Sequence, residues 1–215
     1  MIKQQLDVDS YEFVWSKLIN EFSLTGKQAD QLKHYITMLV EWNEKFNLTA
    51  ILDPIKIVQL HLQDSLSLAH FIDFKTSAVI ADVGTGAGFP GMPLKILFPH
   101  LTVILIEVNK KKQDFLMQVA SQLGLENVIV CPLDWRAFLR ETSYKIDCFF
   151  ARASLQPEEL VRIFKGSSPY QQAKLVYWAS TQWVAGKQEA VYKEKEEEYV
   201  IGDVRRKYIF FSKNR

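Results

Sequence analysis

The chain of 215 residues carries 26 lysines and arginines against 25 aspartates and glutamates, a formal net charge of +1. That balance lacks the strongly basic footprint usual for a nucleic-acid-binding domain, and no apolar run approaches the roughly 20 residues of a membrane span. Hydrophobic residues at 48% and charged residues at 24% are ordinary for a soluble globular protein long enough to bury a full core.

The chain opens Met-Ile-Lys-Gln-Gln-Leu-Asp, without the charged-then-apolar order of a signal peptide, so a cytoplasmic, monomeric protein is expected. Residues 1–74 read as a helical region packed on the sheet that follows. Tyr11, Val14, Leu18, Ile19 and Phe22 recur at helical spacing. Thr25 and Gln28 form a capping box, with Leu24 and Ala29 placed as a hydrophobic staple, and open a helix whose apolar face is Leu32, Tyr35, Ile36, Leu39, Trp42 and Phe46. Asp53-Pro54, a cap followed by proline at the first helical position, predicts a third helix through Phe71.

Residues 75–215 read as a Rossmann-like α/β domain. Strand-like and helical runs alternate as in a mostly parallel sheet covered by helices. Strands are predicted at Val79 to Val83, Val103 to Glu107, Asn127 to Cys131, Asp147 to Ala151 and Lys174 to Tyr177. Glu196 to Ile201, a Gly-Asp turn and Arg206 to Ser212 read as an antiparallel hairpin finishing the sheet. The charged stretch Lys193 to Glu198 reads as a solvated edge. Cys131 and Cys148 lack C-x-x-C spacing and partnering histidines, so they read as buried thiols and not as disulfide or zinc ligands; no metal is expected.

The richest stretch is Asp82-Val-Gly-Thr-Gly-Ala-Gly-Phe-Pro-Gly91, a carboxylate at the end of a buried strand, then a glycine turn, then a helix opened by Pro93. Glycines at Gly84, Gly86 and Gly88 permit positive φ and close approach of the backbone to a ligand. Gly86 to Gly91 matches the dinucleotide fingerprint G-x-G-x-x-G, but the first glycine after the strand is Gly84, and six places into that register stands Phe89. Asp82 before the loop would repel a pyrophosphate, yet accepts hydrogen bonds from an ammonium, directly or through water. S-adenosylmethionine, with an ammonium, a sulfonium and no phosphate, suits this order better.

Glu107 stands at the end of the second strand, where a carboxylate either accepts ribose hydroxyls or favours the first turn of the next helix. After the third strand, Trp135 either flanks an adenine, with backbone groups of Trp135 and Arg136 reading its edge, or roofs the core. Arg152, at the end of the fourth strand, suits a cofactor carboxylate or an RNA phosphate, or is an ion-pair partner. Lys110 to Lys112, Arg136 with Arg140, and Arg205 to Lys207 are candidate phosphate contacts or solvated faces. Arg152-Ala-Ser-Leu stands where exocyclic-amine methylases carry Asn/Asp/Ser-Pro-Pro-aromatic, and no cysteine is presented as a nucleophile for carbon methylation. This poverty of bases fits a nucleophile with a free lone pair, such as guanine N7, which needs only alignment with a methyl group.

Trp42-Asn-Glu-Lys-Phe-Asn-Leu-Thr-Ala-Ile51, His61-Leu-Gln-Asp-Ser-Leu66, Asp82 to Leu94, Lys111-Lys-Gln-Asp-Phe-Leu116 and Arg152-Ala153 together resemble the glucose-inhibited division protein B family, the ribosomal RNA small-subunit methyltransferase G family. The resemblance implies a class I methyltransferase fold and S-adenosylmethionine-dependent transfer to N7 of a guanine in small-subunit (16S) ribosomal RNA. Carried over by position, it implies cofactor contacts at Gly84, Phe89, the Trp135-Arg136 pair and Arg152, with Glu107 on the ribose. His61 and Asp64 match the family's N-terminal signature, His61 either lining the RNA entrance or bonded to a carboxylate at a junction. Lys111, Arg205 and Arg206 are the further RNA-binding candidates.

The chain departs from the family in three places. Asp134 and Arg136 stand where it usually has Arg and Glu, Tyr177-Trp-Ala-Ser180 where it tends to have a lysine and a glycine, and the loop after Arg152 is shorter by about two residues. A divergent, non-catalytic RNA-binding assembly factor is the alternative these changes favour. A nucleotide-dependent oxidoreductase ranks third.

Overall fold

The computed structural model describes residues 8–166 and 168–213. The reading of the first seven residues lies outside the described residues.

Helix α1 spans Val8–Glu21 and α2 Gly26–Phe46. The capping box at the start of α2 is formed: the Thr25 hydroxyl accepts from Gln28 N, and Gln28 Oε1 accepts from Thr25 N. The Gln28 amide also donates to the carbonyls of Ile96 and Leu97, while Gln31 donates to Leu123 O at 2.8 Å. Two glutamines of α2 thus satisfy carbonyls that two other helix ends leave without intrahelical partners.

The third helical stretch differs from a uniform α-helix. Asp53 caps α3 (Pro54–Ile57), but the chain then widens into a π-helical turn, Val58–Gln63, tightens through α4 (Asp64–Leu66) and ends as a 3-10 turn, Ser67–His70. His61 lies in the wide turn and Asp64 at its exit. Changes of hydrogen-bond register of this kind often mark functional segments, and sequence periodicity does not resolve them.

Seven strands form one sheet: β1 (Val79–Val83), β2 (Thr102–Ile106), β3 (Val128–Cys131), β4 (Cys148–Arg152), β5 (Lys174–Ser180), β6 (Lys193–Ile201) and β7 (Val204–Phe211). Their order is β3-β2-β1-β4-β5-β7-β6, parallel through β5 and antiparallel at β7 and β6. The chain winds outward from β1 to β3 and resumes on the other side at β4, which makes the carboxyl ends of β1 and β4 a topological switch point. Between strands lie α5 (Gly91–Leu97), α6 (Lys110–Gln122), α7 (Trp135–Glu141) and α8 (Pro157–Leu160), the last continued by a 3-10 turn, Val161–Phe164. Helix α5 begins at Gly91, two residues before Pro93, because Asp82 holds the Gly91 N–H.

Alternation along each strand divides the core between the two sheet faces. In β1, Ile80 joins the cluster that contains Leu32, Tyr35 and Leu39 of α2, whereas Ala81 and Val83 join the cluster under Phe138 and Ile163. The N-terminal helices therefore share one continuous core with α5, α6 and the sheet. Strand β6 forms an edge, and its Lys193 to Glu198 run is mostly exposed, a composition that discourages pairing with another strand. Both cysteines are free and buried, and burial pushes the Cys148 thiol well up. No helix among the described residues is long and apolar enough to cross a membrane.

Because α2 and the sheet share a core, they should unfold together. Leu39→Ala at a fully buried site is expected to cost about 2–5 kcal/mol, with helical signal and tryptophan fluorescence still lost in one urea transition. Two separated transitions would show that the helical region is energetically independent.

Candidate functional site

The glycine turn after β1 is shaped by angle and by space. Gly84, Gly86 and Gly88 have φ of +63°, +63° and +104°. A Cβ on Gly88 would stand 2.6 Å from the Tyr35 hydroxyl and 2.8 Å from Met92 Cγ, so a side chain is excluded there twice over. At Gly86 a Cβ would meet nothing within 4 Å; here the bare backbone borders open space. A Cβ on Gly84 would come 2.6 Å from Ser154 Cβ, which places the turn after β1 directly against the loop after β4.

Two buried carboxylates back this turn. Asp82 Oδ2 accepts from Thr85 Oγ1 at 2.7 Å and from Gly91 N at 2.8 Å, tying the end of β1 to the turn and to the start of α5. Its other oxygen, Oδ1, is buried with no hydrogen-bond partner among the described residues. Burial pushes the Asp82 carboxyl up to about 6; the Thr85 and Gly91 bonds and Arg152 oppose the rise, and Glu107 adds to it. The residue expected to receive a ligand's ammonium is therefore first the staple of the turn, with one oxygen left over.

Glu107 sits just past β2, where its own N–H still bonds Cys131 O. Its Oε2 accepts from Gly86 N at 3.0 Å and its Oε1 from Asn109 N at 2.8 Å. Asn109 itself caps α6 through Lys111 N and Lys112 N. Glu107 thus both supports the helix start and braces the turn, and each oxygen retains a further acceptor position.

Phe89 turns its ring toward the N-terminal helices, stacked on Tyr35 at 5.2 Å and on His61 at 4.7 Å between centroids, with the Arg152 guanidinium 5.6 Å over it. The Tyr35 hydroxyl donates to Ala87 O inside the turn. Helix α2 therefore holds the glycine turn from behind, a contact that the amphipathic pattern did not reveal because Tyr35 reads there simply as an apolar-face residue.

Of the two readings of Trp135, the structure gives the second. The indole is 5% exposed, packs on Phe138 and Phe149, and donates Nε1–H to Glu159 O at 2.9 Å. Asp134 caps α7 by accepting from Ala137 N at 2.8 Å. The exposed Arg136 side chain reaches Glu159 through two N–H groups, at 2.7 and 3.2 Å.

The densest polar cluster gathers around Asp64, which is fully buried. Its Oδ2 accepts from Arg152 Nη1 and Arg206 Nη1, both at 2.9 Å, and its Oδ1 accepts from the Tyr199 hydroxyl at 2.7 Å. Arg152 is thus an ion-pair partner of Asp64, and Arg206, expected to reach RNA, is turned inward by the same carboxylate. Tyr199 stacks on Tyr208 at 4.1 Å, and burial with the nearby Asp64 charge pushes the Tyr199 hydroxyl far up.

His61 is not bonded to a carboxylate: Arg152 stands between it and Asp64, 3.1 Å from Nδ1. A guanidinium only donates, so Nδ1 accepts and the proton sits on Nε2, which donates to Thr49 Oγ1 at 2.9 Å. Burial first, then Arg152 and Arg206, push this imidazole down to about 3. Lys111 and Arg205 are exposed, the Lys111 ammonium lying 5.3 Å over the Phe46 ring. Ser154 Oγ, beside Gly84, is a second buried polar atom without a partner among the described residues. No three metal-binding side chains cluster among the described residues.

A parallel sheet extended by an antiparallel pair, with a glycine turn after β1 and acids ending β1 and following β2, defines a Rossmann-like class I methyltransferase fold. Solved structures agree: the putative methyltransferase YhhF from Escherichia coli is 16% identical with a TM-score of 0.54, covering 70% of this chain and 86% of that one. A variant of MtNAS in complex with S-adenosylmethionine is 13% identical with a TM-score of 0.59, covering 95% and 88%. A family model described as rRNA small subunit methyltransferase G matches residues 28–205, and the chain belongs to that family. Relatives named ribosomal RNA small subunit methyltransferase G include one from an Exiguobacterium species, 49% identical over 117 residues (54% of this chain, 49% of that protein). Another, from Brevibacillus brevis, is 44% identical over 135 residues (61% and 56%). The chain spans about half the length of the curated relatives it matches.

Removing the central carboxylate should be severe, since two guanidinium groups lose their shared counter-charge. Asp64→Ala is expected to cost about 3–5 kcal/mol, read as a drop of roughly 10 °C in melting temperature; a cost below about 1 kcal/mol would mean that the arginines find water instead. The imidazole of His61 should remain the neutral Nε2–H form in a nitrogen-15 NMR titration until its midpoint at about 3. Titration near the ordinary 6.5 would show that Arg152 does not face Nδ1.

Proposed function

We propose that this protein transfers the methyl group of S-adenosylmethionine to N7 of a guanine in small-subunit (16S) ribosomal RNA. The observation that carries the reading is electrostatic. The open glycine turn is backed by two buried carboxylates, Asp82 and Glu107, and its nearest arginine, Arg152, is already paired with Asp64. A diphosphate would meet repulsion from both carboxylates there. A sulfonium nucleoside with an ammonium meets complementary charge, and membership in the rRNA small subunit methyltransferase G family supports the same choice.

The residues present fit such a cofactor. Asp82 Oδ1 is an acceptor without a donor, Gly86 borders space with bare backbone, and Glu107 keeps acceptor capacity for ribose hydroxyls. Gly84 lets the loops after β1 and β4 meet, and in this reading backbone groups of Trp135 and Arg136 at the start of α7 read the adenine edge. Bound there, the cofactor supplies an electrophilic methyl on a sulfonium. Guanine N7 owns its lone pair, so the chain needs no general base and contributes alignment and exclusion of water. Arg152 acts as a positioning residue: fixed by Asp64, it supports Phe89 and hence the turn. Residues 8–74 act as the wall that holds the turn from behind, through Tyr35 and His61.

One observation favours the non-catalytic assembly factor as second reading. Asp134 caps α7 and Arg136 pairs with Glu159, so neither side chain replaces the contact that the family's usual glutamate would supply. Base-specific mapping of 7-methylguanine in ribosomal RNA from cells with and without the gene separates the two. One 7-methylguanine of the small subunit is expected to disappear with the gene, and identical maps would refute the enzymatic reading.

Asp82 makes cofactor affinity depend on pH. Its carboxyl titrates at about 6 in the free protein, and the ionised form is the one that favours a cation. Calorimetric affinity for S-adenosylmethionine should fall toward tenfold per pH unit below that midpoint and level off above it. Asp82→Asn should weaken binding roughly tenfold to a hundredfold and flatten this profile; equal affinity in the variant would remove Asp82 from the site.

A further inference from the structure

The Arg136 side chain, bonded to Glu159, lines a second concavity. A groove of about 700 Å³ runs between α7 and the 3-10 turn that follows α8. Among the described residues its lining carries four cations, Arg136, Arg140, Arg162 and Lys165, and no carboxylate. For a chain whose net charge is +1 this is a strong local concentration of one sign.

Their partners show how much of that charge is left. Glu159, at the edge of the groove, receives both Arg136 and Arg162, so one carboxylate holds two guanidinium groups side by side, and Asp134 also lies near Arg136. Arg140 is 67% exposed, and its nearest acid, Glu141, stands at 3.6 Å, beyond a hydrogen bond. The Lys165 ammonium donates to Gln188 Oε1, a neutral acceptor, at 2.9 Å. Glu189 lies near Lys165 and is hydrogen-bonded to Glu158.

We propose that this groove, between α7 and the 3-10 turn that follows α8, binds the phosphodiester backbone of RNA. The inference rests on the RNA-substrate reading above and adds to it a specific track. The two arginines held by Glu159 have a fixed spacing and orientation, and guanidinium groups ordered in advance contact phosphate oxygens at a small entropic cost. Arg140 and Lys165 widen the positive strip on both sides. None of the four reads a base, so the groove fixes position and contributes affinity without sequence choice.

The test is the double variant Arg140→Glu/Lys165→Glu, which leaves Glu159 and its two arginines in place. Binding of a fluorescently labelled 16S ribosomal RNA transcript is followed by anisotropy over a series of salt concentrations, with calorimetric affinity for S-adenosylmethionine and a melting curve as controls. Each lost phosphate contact removes about 0.7 from the slope of log affinity against log salt for single strands, so two contacts remove about 1.4 and weaken binding roughly 25-fold near 0.1 M salt. The expected result is that loss with cofactor affinity and melting temperature unchanged. Unaltered RNA affinity and slope in a folded variant overturns the groove, as does a wild-type protein that does not bind RNA. A wild-type protein that binds RNA through these residues but makes no 7-methylguanine keeps the groove and refutes the enzymatic reading, so the two failures are distinct.

Discussion

One buried carboxylate holds the two halves of this molecule in register. Asp64 leaves the π-helical turn of the N-terminal region and binds Arg152 at the end of β4, Arg206 on β7 and Tyr199 on β6. Taking an aspartate and an arginine out of water carries a large desolvation cost, and such clusters are retained where they fix one arrangement against its alternatives. Here the arrangement fixed is the end of β4. With its guanidinium held by Asp64, Arg152 lies over Phe89 and against His61, and those rings with Tyr35 pin the glycine turn.

The turn itself is a balance between holding and leaving free. Asp82 and Glu107 each give oxygens to backbone N–H groups, which sets the curve of the chain from β1 to α5, yet Asp82 keeps one buried oxygen without a donor. An unpaired acceptor of that kind costs free energy in the fold. A ligand donor that satisfies it converts this cost into binding, and the carboxyl pushed up to about 6 marks the same unmet demand.

What the sequence made legible was local. The β1 segment, the glycine turn, the capping box at Thr25 and the C-terminal hairpin all depend on patterns within a few residues; β1 and the capping box stand at the predicted residues, and only the hairpin strands have ends displaced, by up to three residues. The Asp64 cluster was not legible for the opposite reason: its partners lie 88, 135 and 142 residues away in the chain. Arg152 therefore read as a ligand contact or an ion-pair partner without a named acid, and Arg206 as a phosphate contact or part of a solvated face; only the fold brings one carboxylate to both. His61 was read against a carboxylate because Asp64 lies one helical turn away, whereas the wide π turn admits Arg152 between them. Trp135 carried two readings that composition could not separate; Glu159 O, reached across the groove edge, settles its indole into the core.

The account stands on Arg152 being a fixed wall and not a mobile clamp. A crystal structure of the protein with bound S-adenosylhomocysteine tests that directly. The ligand should lie along the glycine turn with its ribose at Glu107, while Arg152 Nη1 remains on Asp64 Oδ2 at the present 2.9 Å. A guanidinium drawn off Asp64 onto the ligand's carboxylate, or a turn left empty by the ligand, would contradict it.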